Sequence, residues 1–293
     1  MSRARHRARD RENLTEAQTY VSLSDQEFLR ESVALVDEAR RRNISLRILG
    51  SLAIYSHSVH VPECITVFHR LGRVEEGKPL FTDLDLAGYA RQGRFISGLF
   101  KDRQFKPDDM VNGFFGDRRL IYYEGTGKFH VDVFLDKLEF SHDVQFGSRP
   151  EDGRLELDFP TITLADIVLE KLQIHHVGRK DLVDLIILFL GHDLRGSEAL
   201  DNELVDDTYL CEILGDDWGF WHESLQNLEK TRQLAHSFAE AGRLDPDQFA
   251  RVRGRLATLE GRLQACPKTR KWEKRSRAGV SKPWYREVEE VVR

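Results

Sequence analysis

Aspartates alternate with apolar residues in the stretch FTDLDLA, residues 81–87. Alternate side chains of a β-strand share one face, so Asp83 and Asp85 would point one way while Leu84 and Leu86 point the other way, into the core. The two carboxylates would lie ~7 Å apart, given a rise of ~3.3 Å per residue. Two like charges on one strand face indicate either a site for a divalent cation or a solvated sheet edge.

A second apolar stretch, KFHVDVFLD (residues 128–136), also carries an aspartate at a strand position. Alternation places Phe129, Val131 and Val133 on one face and Asp132 on the other. An aspartate in the middle of an apolar strand is costly unless it is paired or binds a metal ion. Two such strands favour the metal site, in which carboxylates hold one or two Mg²⁺ ions that a substrate triphosphate completes.

A glycine-serine turn precedes both strands. In LRILGSLAIYSHS, residues 46–58, a short β-rich run ends at Gly50 and Ser51, and one or two helical turns are predicted to follow. A turn of this kind at a helix N-terminus offers backbone N–H groups, a hydroxyl and the positive end of the helix dipole to a phosphate group. The order along the chain is therefore a phosphate-binding turn, an aspartate pair and a third aspartate.

These motifs, in this order, resemble those of the nucleotidyltransferase superfamily, which has the DNA polymerase β-like fold. The segment ADIVLEKLQIHHVGRKDLVDLIIL, residues 165–188, is similar to the lysine-containing helix and the Lys/Arg-x-Asp segment of its AbiEii-type toxin branch. The resemblance covers roughly residues 44–192. The fold class it implies is α/β (α+β), a nucleotidyltransferase domain with a mixed β-sheet that is followed by an all-α helical domain.

The resemblance implies an enzyme, a Mg²⁺-dependent nucleotidyltransferase. Such an enzyme transfers a nucleoside monophosphate from an NTP to an acceptor hydroxyl or phosphate, and pyrophosphate leaves. Carried over to this chain, Gly50 and Ser51 would hold the β- and γ-phosphates. Asp83 and Asp85 would be catalytic residues that bind both ions of a two-metal site. Asp132 would bind the catalytic metal ion and help to deprotonate the acceptor.

The resemblance also implies roles for charged residues further along the chain. Lys171 would reach the triphosphate, and Lys180 together with Asp181 would support the base of the site. Structural roles are open for some of these residues as well. Lysines mostly face water, so Lys171 could equally be a solvated helix residue. Asp181 and Asp184 could instead complement the dipole of the helix they begin.

The partners that the resemblance implies are an NTP and an acceptor, which is RNA (tRNA ends), a protein or a small molecule. A partner antitoxin follows from the resemblance to the toxin branch alone. Two other functions are compatible with the sequence. One is a non-catalytic nucleotide- or RNA-binding module of the same fold, and the other is a metal-dependent phosphohydrolase.

The pattern of elements divides the chain into three parts. Residues 1–14 are basic and are expected to be disordered. Residues 15–160 alternate strands and helices and are predicted to form the catalytic domain, with a boundary near Phe159-Pro160. Residues 161–293 are predicted to be helical and end in a basic tail with interleaved aromatic residues. That tail could either track a nucleic-acid backbone or pack its aromatic residues onto the domain.

Two local expectations concern the boundaries of elements. Residues 57–80 contain prolines and glycines without a sustained period, which predicts a long loop or insertion. The P-loop-like GRVEEGKP at residues 72–79 is rejected because Pro79 replaces the Ser/Thr that would bind Mg²⁺. A helix that begins at Thr163 is predicted to stop near Gly178, and the next helix to end at Gly191.

Composition indicates a cytoplasmic protein without a membrane segment. The chain has 293 residues and a formal net charge of −5. No apolar run approaches the ~20 residues that a transmembrane helix needs. The arginine-rich N-terminus is not followed by the apolar core of a signal peptide. The three cysteines are far apart in the sequence and are expected to be reduced.

Overall fold

The computed structural model describes residues 23–75, 78–199 and 201–288 of the chain. Within these residues it contains a mixed five-stranded sheet, a two-stranded ribbon and eleven α-helices, which confirms the predicted α+β class. The basic segment 1–14 lies outside the described residues. No helix among those described is long and apolar enough to cross a bilayer.

The first half of the chain contains both strands and helices, and the named elements of the second half are helices. The first half comprises α1 (Asp25–Arg41), β1 (Leu46–Ile48), α2 (Gly50–Ser58), α3 (Pro62–Arg70), β2 (Asp83–Gly88), α4 (Gly93–Asp102), β3 (Lys106–Pro107), α5 (Asp109–Phe115), β4 (Arg119–Tyr123), β5 (His130–Leu135), β6 (Lys137–Glu139) and β7 (Asp143–Gln145). The second half comprises α6 (Leu164–Leu172), α7 (Arg179–Gly191), α8 (Asp207–Asp216), α9 (Trp218–Glu240), α10 (Pro246–Ala265) and α11 (Arg270–Ser276).

The strand order of the main sheet is β1-β2-β5-β4-β3. The central pair, β2 and β5, is parallel, and the other neighbouring strands are antiparallel. Both aspartate-bearing stretches therefore form strands, as predicted, and they are adjacent. Leu84 and Leu86 of β2 and Val131 and Val133 of β5 are fully buried, because they alternate with the polar residues and face the core.

Part of the segment predicted as a loop is helical. Residues 62–70 form α3, in which Cys64, Val67 and Phe68 are fully buried. The prediction of an unstructured stretch from 57 to 80 was therefore wrong for these residues. Pro62 was interpreted as a loop signal, but it occupies the first turn of the helix, where a missing N–H costs nothing.

Helix α6 begins at Thr163 as predicted, but it ends earlier than expected. Thr163 caps α6, and the helix stops at Leu172 rather than near Gly178. The side chain of Asn227 on α9 donates to the carbonyl oxygens of Leu172 (3.0 Å) and Ile174 (2.8 Å). A side chain distant in sequence thus donates to carbonyl oxygens that would accept backbone hydrogen bonds if α6 continued. The prediction that α7 ends at Gly191 is confirmed.

A continuous apolar core joins the two halves of the chain. It extends from the sheet into α6, α7, α9 and α10. The backbone crosses the predicted boundary with paired hydrogen bonds, since the Ile48 N–H donates to Pro160 O and the Ile162 N–H donates to Ile48 O, both at 3.0 Å. The domain boundary near Phe159-Pro160 remains a prediction.

The aromatic residues of the tail contact the helical half. The ring of Tyr285 stacks on His175 with 3.4 Å between ring centroids. The indole N–H of Trp284 donates to Oε2 of the fully buried Glu223 at 2.9 Å. These two residues of the tail therefore pack against the domain.

Candidate active site

A cleft of about 650 Å³ opens beside the aspartate-bearing end of β2. Its walls are the turn that begins α2, the start of β2, the first turn of α7 and residues 72–75 and 78–80. Seven of the eight residues singled out in the sequence line it, namely Gly50, Ser51, Asp83, Asp85, Lys171, Lys180 and Asp181. The eighth, Asp132, lies on the neighbouring strand at the register position of Asp85.

Gly50 begins α2 in a conformation that favours glycine. Its φ is +73°, and a Cβ atom at this position would lie 3.3 Å from Oδ2 of Asp85. The preceding residue, Leu49, donates its N–H to the carbonyl oxygen of Asp85 at 3.1 Å, which attaches the turn to β2. The N-cap residue of α2, Leu49, makes no capping hydrogen bond with its side chain, and Ser51 and Leu52 of the first turn line the cleft. The predicted phosphate-binding turn thus lies against the aspartates.

The three aspartates concentrate negative charge on one face of the sheet. Asp83 is exposed, Asp85 is partly exposed, and Asp132 is 5% exposed. Burial raises the pKa of Asp85 well above its ordinary value, and the charges of Asp83, Asp132 and Glu170 raise it further, while Lys171 opposes them. A cation bound at this face would relieve that repulsion.

Asp132 also lies close to two basic side chains. Its Oδ2 accepts a hydrogen bond from Nη2 of Arg119 at 2.8 Å and lies 3.7 Å from Nε2 of His130. Arg119 stands two residues before Ile121, the register partner of Asp132 on β4, so the two side chains share a face. The sequence analysis missed Arg119, although the alternation of RRLIYY gave a signal for it.

The residue types of the site suit Mg²⁺, but their side chains are not arranged around one ion. Carboxylate oxygens are the ligands that Mg²⁺ prefers, and neighbouring carboxylates add to the effect of burial in raising the pKa of Asp85. Among the described residues, however, no three His, Cys, Asp or Glu side chains surround a common point as the ligands of one ion. The histidines and Cys64 of residues 57–69 do not form such a group either. Binding of Mg²⁺ would therefore require the aspartate side chains to converge.

Lys171 is buried within an acidic cluster. It is 5% exposed, so the alternative of a solvated lysine is wrong. Its Nζ lies 3.0 Å from Oδ1 of Asp181, 3.1 Å from Oδ2 of Asp184 and 3.5 Å from Oε1 of Glu170. Burial on its own would lower the pKa of Lys171, but Asp184, Glu170 and Asp181 together raise it above its ordinary value. The ammonium group is therefore charged and held in place.

Lys180 differs from Lys171 in its surroundings. It is exposed on the cleft wall and forms no hydrogen bond or ion pair with the part of the chain that the structure describes. Asp181 lies in the first turn of α7 and binds Lys171, whereas Asp184 is fully buried and also accepts from Nε of Arg73 at 2.8 Å. The helix dipole alone therefore does not account for Asp184.

Three further charged residues of the cleft region were missed in the sequence. Arg73 lies in the segment that was interpreted as a loop. Arg179 begins α7 and donates to the carbonyl oxygens of Leu71 (2.8 Å) and Gly72, which holds that segment against α7. Glu170 is buried on α6. A signal for Glu170 existed, because two consecutive charged residues, Glu170 and Lys171, follow the apolar run Ile167–Leu169 and precede Leu172 in the same helix.

In comparisons of this chain with protein-family models, with curated proteins and with solved structures, nothing matched. Any assignment of function therefore depends on the chemistry of the site itself.

Proposed function

We propose that this protein is a Mg²⁺-dependent nucleotidyltransferase that transfers a nucleoside monophosphate from an NTP to an acceptor hydroxyl or phosphate, with release of pyrophosphate. One observation carries the proposal. Asp85 and Asp132 are register partners on adjacent parallel strands, at the edge of a cleft that also contains the Gly50-Ser51 turn. The charge and the position of these groups support a substrate that is itself a polyphosphate.

The cleft has the size and charge for a nucleotide. Its volume of about 650 Å³ lies in the range of small-molecule and cofactor sites. Five basic residues line it, which are Arg73, Lys78, Lys171, Arg179 and Lys180. Because Lys171 is committed to carboxylates, the exposed Lys180 is the better candidate to contact the phosphates directly. The first turn of α2 would bind phosphate oxygens through its backbone N–H groups.

The aspartates would hold the metal ions. Asp83, Asp85 and Asp132 are the residues that would bind Mg²⁺, which when bound neutralises charge on the attacking and leaving oxygens. Other residues of the protein would position the substrate and the carboxylates. Gly50 and Ser51 orient the triphosphate, and Arg119 holds the carboxylate of Asp132 on the face of the sheet that borders the cleft.

Transfer of label tests the proposal. The protein is incubated with Mg²⁺ and each of the NTPs labelled at the α-phosphate, together with separated RNA, protein and small-molecule fractions of a cell extract. We expect label in one fraction with the wild type and none with Asp85→Asn. The Asp247→Asn variant is a matched control, because Asp247 is exposed in the first turn of α10 and does not line the cleft.

Three outcomes would argue against transfer. NTP binding without any labelled acceptor would favour the non-catalytic binding module. Release of free phosphate from the NTP would favour a phosphohydrolase. If neither binding nor turnover of any NTP occurs, the proposal is contradicted.

A further inference from the structure

Glu170 lies between the glycine turn and the acidic cluster around Lys171. Its Oε2 accepts the backbone N–H of Gly50 at 2.9 Å, and its Oε1 lies 3.5 Å from Nζ of Lys171. We infer that Glu170 is a positioning residue of the nucleotide site, which acts by holding the Gly50-Ser51 turn in the conformation that receives the triphosphate. This inference rests on the proposed function, since it assigns a role within the same cleft.

The glycine turn is held from two sides. A Cβ atom on Gly50 would meet Oδ2 of Asp85 at 3.3 Å and Oε1 of Glu170 at 3.8 Å, so both carboxylates closely approach the backbone there. Glu170 fixes the N–H of Gly50, and the carbonyl oxygen of Asp85 fixes the N–H of Leu49. Two consecutive backbone groups are thus bonded before any ligand arrives. A turn fixed in this way loses less entropy when it binds an anion.

A simpler role for Glu170 would be that of a partner of the buried Lys171 alone. The distances argue against it. Lys171 already has Asp181 and Asp184 at 3.0 Å and 3.1 Å, both closer than Glu170 at 3.5 Å. The shortest contact of Glu170 is the hydrogen bond to Gly50. A carboxylate that is 7% exposed is costly to bury, and here its best hydrogen bond is to the turn.

The contacts of Glu170 continue to the opposite wall of the cleft. Lys171 binds Asp184, which accepts from Arg73. Arg73 in turn donates through Nη1 to the carbonyl oxygen of Leu80 at 3.0 Å. Through this sequence of ion pairs and hydrogen bonds, Glu170 connects the turn at one wall with residues 73–80 at the other.

Nucleotide binding to the variants Glu170→Gln and Gly50→Ala, and to the double variant, tests the inference. Glutamine keeps the size of the side chain, but its amide group cannot accept from Gly50 and also face the ammonium of Lys171 favourably. We expect each single variant to weaken binding of the NTP with Mg²⁺ by about 10-fold. The double variant should bind about as weakly as Gly50→Ala alone, because both changes disturb the conformation of the same turn. A purely structural role would not produce this coupling.

A matched control and a second measurement separate the possible failures. Glu223→Gln changes a second buried glutamate, on α9, and should leave NTP affinity unchanged. In the nucleotide-free protein, amide hydrogen exchange at Gly50 should be about 10-fold faster in Glu170→Gln than in the wild type.

The results have distinct meanings. If the wild type binds no NTP, the proposed function fails, and hydrogen exchange at Gly50 still decides whether Glu170 fixes the turn. If the wild type binds an NTP and Glu170→Gln binds it equally well, the inference is overturned. It is also overturned if the losses in the two single variants multiply in the double variant, or if exchange at Gly50 is unchanged.

Discussion

Asp85 and Asp132 occupy matching register positions on the parallel strands β2 and β5. Side chains at matched positions of neighbouring strands point to the same face of a sheet, so both carboxylates are on one face. Asp83 and Glu170 add to the negative charge there. This arrangement determines how the protein should respond to pH, to divalent cations and to substitutions in the cleft.

Replacement of Asp85 by Asn should stabilise the cation-free protein. Burial, and then the neighbouring carboxylates, raise the pKa of Asp85 above its ordinary value of 3.8. The contribution of such a group to stability is complete below its ordinary pKa and is lost as the pH rises through the raised pKa. Asp85→Asn should therefore melt a few degrees higher than the wild type at alkaline pH, and the difference should vanish near pH 4. Thermal unfolding across pH checks this, with Asp247→Asn as the control that should follow the wild type.

Mg²⁺ should stabilise the wild type and release protons when it binds. A ligand that binds only the folded state raises the melting temperature as its concentration exceeds its dissociation constant. Because the pKa of Asp85 is raised, the cation competes with a proton at this carboxylate, so its apparent affinity should increase with pH. Calorimetry in buffers of different ionisation enthalpy measures the released protons. An equal Mg²⁺ response in Asp85→Asn would show that the ion binds elsewhere.

The two lysines of the cleft should respond differently to substitution. Lys171 is buried among carboxylates, so Lys171→Met should lower the free energy of unfolding by about 3 kcal/mol, because it leaves buried charges without a partner. Lys180 is exposed, so Lys180→Ala should change stability by no more than about 0.5 kcal/mol while it weakens NTP binding. Urea unfolding and binding titrations measure both quantities. Lys101→Ala, at an exposed position of α4, should leave both unchanged.

His142 should make the protein sensitive to acid. Its ring stacks on Phe220 with 4.9 Å between centroids, and burial lowers its pKa to about 4, against the opposing charges of Asp217 and Glu223. A histidine whose pKa is lowered by folding contributes stability above pH 6.5, and this is lost as the pH falls towards 4. The loss should be about 3 kcal/mol. His142→Phe keeps the stacked ring and should flatten the profile of unfolding free energy against pH, whereas His236→Gln, at an exposed position, should not.

The parts of the site that depend on local patterns could be predicted from the sequence. Alternation of apolar residues with Asp83, Asp85 and Asp132 was sufficient to place these carboxylates on strands. The Gly50-Ser51 turn followed from the residue types between a strand and a helix. In each case a stretch of fewer than about ten residues carries the signal.

The remaining features depend on contacts between residues that are distant in sequence. Gly50 and Glu170 are 120 residues apart, and no local pattern indicates that they form a hydrogen bond. The early end of α6 depends on Asn227 of α9. Arg119 reaches Asp132 only because β4 pairs with β5 in one particular register. Sequence periodicity does not encode these long-range contacts, so the sequence predicted the strand aspartates and the glycine-serine turn but not the residues that fix them.

The most direct test of the proposed metal-dependent site is a crystal structure with Mn²⁺ and a non-hydrolysable NTP analogue. Anomalous scattering locates Mn²⁺ without ambiguity. We predict an anomalous peak about 2.1 Å from carboxylate oxygens of Asp83 and Asp85, with the triphosphate over Gly50 and Ser51. A nucleotide bound away from the glycine turn, or aspartates without a metal peak beside a bound nucleotide, would contradict the account.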